Sequence, residues 1–111
     1  PQIVGLGHAM EIVLSGERIG AEHAYRIGLV NRVHEQDVLL EKSLDYAQLL
    51  AKRAPLAQRF AKDVMKRAVG LPMREALRLE SRSFYDLGRT QDLAEGTTAF
   101  REKRDAKFQG R

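Results

Sequence analysis

Residues 55–70 read PLAQRFAKDVMKRAVG, and the spacing of their apolar side chains predicts a helix. Leu56, Phe60 and Val64 recur every four residues, so they lie along one stripe of a helical surface. The proline that opens the stretch is tolerated in a first helical turn. The glycine that closes it can take the left-handed conformation common after helix ends. The stretch therefore predicts one amphipathic helix that faces a core along a single side.

The same periodicity continues on both sides of this helix. It predicts helices over residues 7–15, 21–27, 37–54 and 72–88, and a last helix that Thr90 caps and that reaches Phe108. Residues 29–33 alternate β-branched and polar positions, which predicts one short strand. Since one strand cannot form a sheet alone, we expect its partner outside this sequence. The prediction is a mainly α chain with at most one short strand.

The last predicted helix carries rings and cations together, in the stretch AFREKRDAKF at residues 99–108. On a continuous helix Phe100, Lys103, Arg104, Lys107 and Phe108 share one face. Rings beside cations fit a flat heteroaromatic group that carries phosphates, such as a nucleotide or the adenosine phosphate end of coenzyme A. The plain alternative is that the rings fill a core and the cations form a solvated rim, which the general behaviour of apolar stripes favours.

Composition limits the chemistry that the chain can perform. The 111 residues include no cysteine, which excludes disulfides, thiolate zinc sites and thiol nucleophiles. No H-E-x-x-H, G-x-S-x-G or G-x-G-x-x-G motif occurs, so a metal site, a serine hydrolase and a dinucleotide fold are unsupported. No apolar run approaches the roughly 20 residues that cross a bilayer, and no membrane association is expected. A net charge of +4 suits anionic partners.

The first residues suggest a piece of a longer protein. The sequence opens on Pro1, and Ile3, Val4 and Leu6 are already apolar with no capping residue before them. We therefore expect further sequence upstream. The absence of cysteine is compatible with a cytoplasmic or organelle-matrix location.

Residues 9–33, AMEIVLSGERIGAEHAYRIGLVNRV, closely resemble the enoyl-CoA hydratase/isomerase (crotonase) superfamily. The matching features are A-M-E, then S-G, then an isoleucine, A-E-x-A and G-L-V. Later features match in order and spacing as well: A-P-L-A at 54–57, Lys62, L-E with Phe84, Asp92, E-G at 95–96, A-F at 99–100, E-K-R at 102–104, and Phe108. The resemblance extends over essentially the whole chain.

This resemblance implies a place in a longer enzyme of the ClpP/crotonase spiral fold. Residues 1–36 would be the end of the spiral core, and residues 37–111 the carboxy-terminal helical region that mediates trimerisation. The family's oxyanion hole and acidic catalytic residues would lie upstream of Pro1, so no residue here is assigned as catalytic and this stretch alone is expected to be inactive. The parent would act on acyl-CoA thioesters as a trimer or dimer of trimers, with no required cofactor, in the cytoplasm or mitochondrial matrix. Hydration of 2-enoyl-CoA is the commonest reaction of the family, and isomerisation, dehalogenation and hydrolysis stay open because the deciding acids lie outside this sequence.

The resemblance also bears on the cluster at the end of the chain. In family members the final helix reaches the coenzyme A of a neighbouring subunit, where a phenylalanine and a lysine touch its adenine and phosphate end. These positions match Phe100 and Lys103, with Arg104 as a further binding candidate.

Two alternatives stay open beside an acyl-CoA enzyme. Arg59, Lys62 and Lys66 share a face of the helix at residues 55–70 and could follow an RNA phosphate backbone, although nucleic acid is not the expected partner. The chain could also serve oligomerisation alone.

Overall fold

The computed structural model describes residues 1–111 and contains six helices and no strand. The helices are α1 (Gly5–Ser15), α2 (Ala21–Arg26), α3 (Leu39–Ala51), α4 (Pro55–Ala68), α5 (Met73–Leu87) and α6 (Gln91–Glu102). The predicted mainly α class is confirmed. All six predicted helices are present, with ends that differ from the predicted ones by a few residues, except for the last.

Glycines in the left-handed conformation end the first two helices. Gly16 follows α1 with φ 65°, and its N–H donates to the carbonyl of Ile12. Gly28 follows α2 with φ 75°, as its position after the helical pattern predicts. The absence of a Cβ makes this conformation inexpensive, so sequence and backbone agree on where these helices stop.

Pro55 begins α4 in its first turn, as the opening stretch predicts. The side-chain amide of Gln58 donates to the carbonyl of Leu50 at 2.8 Å, which ties the last turn of α3 to the first turn of α4. Four residues after α4 lead into α5, and the two helices pack against each other. This helix pair is the main tertiary contact of the second half of the chain.

Residues 29–33 form no strand within this chain, and their pairing with a partner outside the sequence stays a prediction. The N–H groups of Leu29 and Val30 both donate to the carbonyl of Ala24, at 2.8 and 3.3 Å, so this backbone closes the end of α2. No strand exists in the chain for residues 29–33 to pair with. Without a neighbour that accepts a ladder, β-branched alternation does not make a strand, because β-propensity depends on cross-strand packing.

The chain divides into two units, residues 1–44 and 45–111. The predicted boundary at residue 36 concerns a larger fold and stays a prediction. Ala24 is the buried residue of the first unit, and Asp92 and Ala99 are those of the second. Large apolar side chains remain exposed in both, and Val13, Leu14, Met73 and Phe100 expose 75% to 85% of their surface. Neither unit encloses a large apolar core of its own.

Each of the six helices falls short of the length or apolarity that a bilayer-spanning helix requires.

Candidate functional site

Thr90 fixes the start of α6, as predicted. Its hydroxyl oxygen accepts a hydrogen bond from the N–H of Leu93 at 3.3 Å, and the hydroxyl donates to the carbonyl of Leu87 at 2.7 Å. One side chain therefore satisfies a free donor of α6 and adds a second hydrogen bond to the Leu87 carbonyl, which also accepts from the N–H of Thr90 at 3.0 Å.

The end of α6 lies earlier than predicted. The helix stops at Glu102, and Lys103 takes the left-handed conformation with φ 54° and ψ 40°. The N–H of Arg104 then donates to the carbonyl of Ala99 at 3.1 Å, which closes the helix. Residues 104–111, here called the terminal segment, are not helical. The single helical stripe predicted from Phe100 to Phe108 is therefore wrong beyond Glu102.

Glu95 explains why the chain turns back at this point. The guanidinium of Arg104 donates to both oxygens of the Glu95 carboxylate, at 2.7 and 3.0 Å. The backbone N–H of Lys107 donates to the same carboxylate at 2.7 Å. We call these three hydrogen bonds the Glu95 clamp. They give the residues after Lys103 partners on the side of α6 itself, which a continued helix would not provide.

The charge on Glu95 is strongly stabilised. The hydrogen bonds from the Arg104 side chain, and next from the Lys107 N–H, lower the pKa of Glu95 to about 2. The same contact with Glu95, assisted by Glu102, raises the pKa of Arg104. Both partners of the clamp are therefore charged at any physiological pH.

Asp92 holds the far end of the terminal segment. Its side chain is buried, with 3% of the residue exposed, and its two oxygens accept from the N–H groups of Gln109 and Gly110 at 2.7 and 2.8 Å. Its own N–H donates to the carbonyl of Arg111 at 3.0 Å. The sequence places Asp92 among the residues that resemble the family but predicts no role for it. An aspartate in a first helical turn is explained by the helix dipole alone, so no local signal showed its distant partners.

The terminal segment places Phe108 in the same groove as Phe100, by a route that the sequence did not predict. Phe100, on α6, exposes 85% of its surface, and Phe108 is partly buried. Both line a largely apolar groove of about 390 Å³ with Gly96 and Thr97. Gly96 permits this approach, since a Cβ added there would lie 3.3 Å from a carbon of the Phe108 ring. The rings share the groove because the chain reverses, whereas the prediction placed them on one helix.

The predicted site residues differ in how free their side chains are. Lys103 is exposed and its ammonium forms no ion pair. The Arg104 guanidinium makes four hydrogen bonds, to Glu95, Glu102 and the carbonyl of Asp105. Since arginine has five N–H donors, most of its capacity is used within the chain. Phe100 and Lys103 are therefore free to meet a ligand, whereas Arg104 is bound to its own chain.

The remaining polar side chains form no second cluster comparable to the one at the end of α6. The rings of His8 and His23 meet edge to face at 6.3 Å, and His8 lies 3.5 Å from Glu11. No group of three or more histidine, aspartate or glutamate side chains is placed to hold a metal ion. Arg59, Lys62 and Lys66 line one shallow depression on α4 together with Asp63.

Comparison with known proteins places this chain in a family. The full length of the chain, residues 1–111, matches the family model for enoyl-CoA hydratase/isomerase. The chain belongs to this family. The resemblance carried by residues 9–33 and by the later motifs is thereby confirmed at the level of the family.

Individual relatives agree with this assignment. A protein of Rhizobium meliloti named "Probable enoyl-CoA hydratase" is 41% identical over 108 residues, 97% of this chain and 42% of the relative. The 2,3-dehydroadipyl-CoA hydratase of Escherichia coli is 38% identical and is also covered to 42% of its length. The crystal structure of an enoyl-CoA hydratase from Bacillus anthracis superposes over 100% of this chain and 43% of its own, with a TM-score of 0.95 and 32% identity. The chain thus spans less than half the length of these relatives.

Proposed function

We propose that the chain is the carboxy-terminal helical region of a longer acyl-CoA enzyme that hydrates 2-enoyl-CoA thioesters. The observation that carries this proposal is the match of all 111 residues to the family, together with coverage of only 42% to 43% of the relatives. The exposed apolar side chains support it, because they provide surface for further protein to cover. The all-helical structure agrees with a region that follows a spiral core.

In this proposal the reaction takes place on residues outside the chain. Hydration of a 2-enoyl thioester requires donors aimed at the thioester oxygen as it gains charge, and an acid and a base for the added water. None of residues 1–111 is assigned to these roles. The acyl group also stays open, since one relative is named for 2,3-dehydroadipyl-CoA and another for enoyl-CoA without further definition.

The contribution of the chain would be the contact with the adenine and phosphate end of coenzyme A. Phe100 offers a ring exposed over 85% of its surface, and Lys103 an unpaired ammonium three residues later. A lysine in the left-handed conformation, where glycine fits with less strain, favours a role for its side chain. Arg104 supports the contact from its place in the Glu95 clamp, with little donor capacity left for the ligand.

The apolar faces of α4 and α5 would supply oligomer contacts. Phe84, on α5, exposes 67% of its surface, and Met65, on α4, exposes 66%. We expect the full-length protein to be a trimer or a dimer of trimers. Sedimentation of a monomer at micromolar concentration would contradict this part of the proposal.

The activity is tested with the full-length product of the gene that encodes this chain. The gene is sequenced on both sides of the codons for residues 1–111, and hydration of crotonoyl-CoA is followed for the full product and for the 111-residue chain. We expect turnover by the full product only. Turnover by the isolated chain, or a gene that encodes nothing beyond it, would overturn the proposal. The same assay with other enoyl-CoA thioesters defines the acyl group.

The binding role is tested by titration of the full-length protein with coenzyme A and, separately, with RNA at two salt concentrations. Saturable binding of coenzyme A that Phe100→Ala and Lys103→Ala weaken supports the proposed contact. Steeply salt-dependent binding of RNA, lost when Arg59 and Lys62 are neutralised, would support the nucleic-acid alternative. Binding of neither would leave oligomerisation as the role of this region.

A further inference from the structure

Lys103 is the one residue other than glycine that has a positive φ. Its own ammonium forms no ion pair that would hold it there. Two backbone hydrogen bonds close this turn, from the Lys103 N–H to the carbonyl of Phe100 at 3.3 Å and from the Arg104 N–H to the carbonyl of Ala99 at 3.1 Å. The Glu95 clamp adds a second restraint, because it fixes residues that directly follow the turn.

We propose that Glu95 is a positioning residue that sets the direction of the Lys103 ammonium toward an anionic ligand. This inference rests on the proposed function, in which Lys103 meets the phosphate end of coenzyme A. Glu95 binds the first residue after Lys103 through two parallel hydrogen bonds and the fourth through its backbone N–H, at 2.7 to 3.0 Å. Two attachment points within four residues leave the left-handed turn little freedom to relax.

The clamp is suited to this task by its geometry and its position. A carboxylate and a guanidinium joined by two parallel bonds fix both distance and plane, which a lysine partner would not do. Glu95 itself lies in the middle of α6, where the helix holds its backbone. The low pKa of Glu95 keeps the carboxylate charged, so the clamp does not open at physiological pH.

The proposal and simple electrostatics predict opposite changes in anion affinity when Glu95 is neutralised. Loss of a negative charge close to an anion site should strengthen anion binding, because repulsion is removed. If Glu95 positions Lys103, its neutralisation should instead weaken binding. Glu102 offers a matched control: its carboxylate also contacts Arg104, through Nε, but it does not bind the terminal segment beyond that residue.

The experiment measures the affinity of the full-length protein for coenzyme A at low salt. Glu95→Gln and Glu102→Gln are compared, and Glu95→Gln is repeated in a Lys103→Ala background. Residues in one hydrogen-bond network couple by about 2-fold to 150-fold in an equilibrium constant. We expect Glu95→Gln to weaken binding about fivefold and Glu102→Gln to weaken it not at all. In the Lys103→Ala background the effect of Glu95→Gln should fall below about twofold.

Two results would overturn the inference while the proposed function stands. One is Glu95→Gln binding coenzyme A as tightly as the unsubstituted protein, and the other is an equal loss with and without Lys103. If Lys103→Ala alone leaves the affinity unchanged, the proposed coenzyme A contact fails and the inference fails with it. These outcomes are distinguishable because the single and double variants are measured side by side.

Hydrogen exchange provides a readout that does not depend on the ligand. The N–H groups of Lys103 and Arg104 close the end of α6, and the clamp should protect them. In Glu95→Gln we expect their exchange to be at least about tenfold faster, with the amides in the first half of α6 unchanged. Unchanged exchange at residues 103 and 104 would overturn the inference, and general acceleration would show unfolding of the helix, which also contradicts a local role.

Discussion

Lys103 carries backbone strain that glycine would remove. A residue with a Cβ in the left-handed conformation costs roughly 1–2 kcal/mol, whereas glycine enters it freely. We expect Lys103→Gly to raise the free energy of unfolding of the full-length protein by about 1 kcal/mol in urea denaturation, while it weakens coenzyme A binding. Lys103→Ala is the matched control, because it removes the ammonium and keeps the strain. A glycine variant no more stable than the alanine variant would contradict this account.

Gly96 faces a different constraint, set by the ring of Phe108. In a helix interior alanine is more stable than glycine by about 0.8–1 kcal/mol. At residue 96 the new Cβ would lie 3.3 Å from the ring, closer than an ordinary contact. We expect Gly96→Ala to yield the usual gain only in a Phe108→Ala background, with a difference between backgrounds of at least about 0.5 kcal/mol. Thermal unfolding of the full-length protein, the two single variants and the double variant measures this difference. Equal gains in both backgrounds would show that the Phe108 ring moves aside freely.

Single residues with local roles could be predicted from the sequence. Gly28 and Thr90 act within a few positions of themselves, so their neighbours in sequence reveal the turn and the cap. Asp92 could not be predicted, because its acceptor role depends on N–H groups 17 and 18 residues away. Its burial shows only once the terminal segment lies beside α6.

At the scale of elements, periodicity predicted the helices and failed where partners decide the conformation. The helix predicted to reach Phe108 stops at Glu102, because Glu95 and Asp92 offer the following residues charged acceptors along α6. The strand predicted at residues 29–33 lacks a neighbour within the chain. In both segments the residue pattern is compatible with a helix or a strand. The conformation is decided instead by contacts distant in sequence, which are present after α6 and absent at residues 29–33.

Acid should weaken the Glu95 clamp, which is one of the two attachments of the terminal segment to α6. The pKa of Glu95 is lowered from 4.5 to about 2 by its contact with Arg104 and Lys107. A carboxylate with a lowered pKa in the folded state contributes stability that is complete above its unfolded pKa and is lost as pH falls toward the folded value. We therefore expect the difference in unfolding free energy between the original protein and Glu95→Gln to be constant above about pH 5 and to shrink between about pH 4.5 and 2.

Urea denaturation of the full-length protein and of its Glu95→Gln variant, from neutral to acidic pH, measures this difference in unfolding free energy. Glu102→Gln should retain the acid sensitivity of the original protein, because both bonds between Arg104 and Glu95 remain. A difference that stays constant or grows on acidification would show that the Glu95 carboxylate does not gain its low pKa from the folded state.

At the scale of the whole molecule, very little apolar surface is buried. Ala24 and Ala99 are the buried hydrophobic residues of the chain, while side chains as large as Phe84, Tyr85 and Phe100 are mostly exposed. We expect the isolated 111-residue chain to bind an apolar fluorescent dye strongly and to unfold without a sharp cooperative transition. The full-length protein is the control and should show weak dye binding. A sharp transition of the isolated chain as a dilute monomer would contradict this expectation.

The fold class and the family could be recognised from the sequence because both rest on patterns spread along the chain. The candidate site was predicted only as a set of residues, since Phe100 and Phe108 reach a common groove through a reversal that their spacing does not reveal. The difference between the free side chain of Lys103 and the bonded side chain of Arg104 could not be predicted from the sequence either. Both are cations in sequence, and the contact with Glu95 separates them.

The glycine after α1 has a consequence for chemical protein synthesis. Gly16 has φ 65°, and no atom lies within 4 Å of the position that a side chain would take there. An L-residue is disfavoured at such a position by its handedness alone, with no steric obstacle from the surroundings. A mirror-image amino acid such as D-alanine prefers this backbone conformation, and would restrict the unfolded chain without straining the folded one. Stability at this turn is thus limited because ribosomal synthesis incorporates only glycine and L-amino acids.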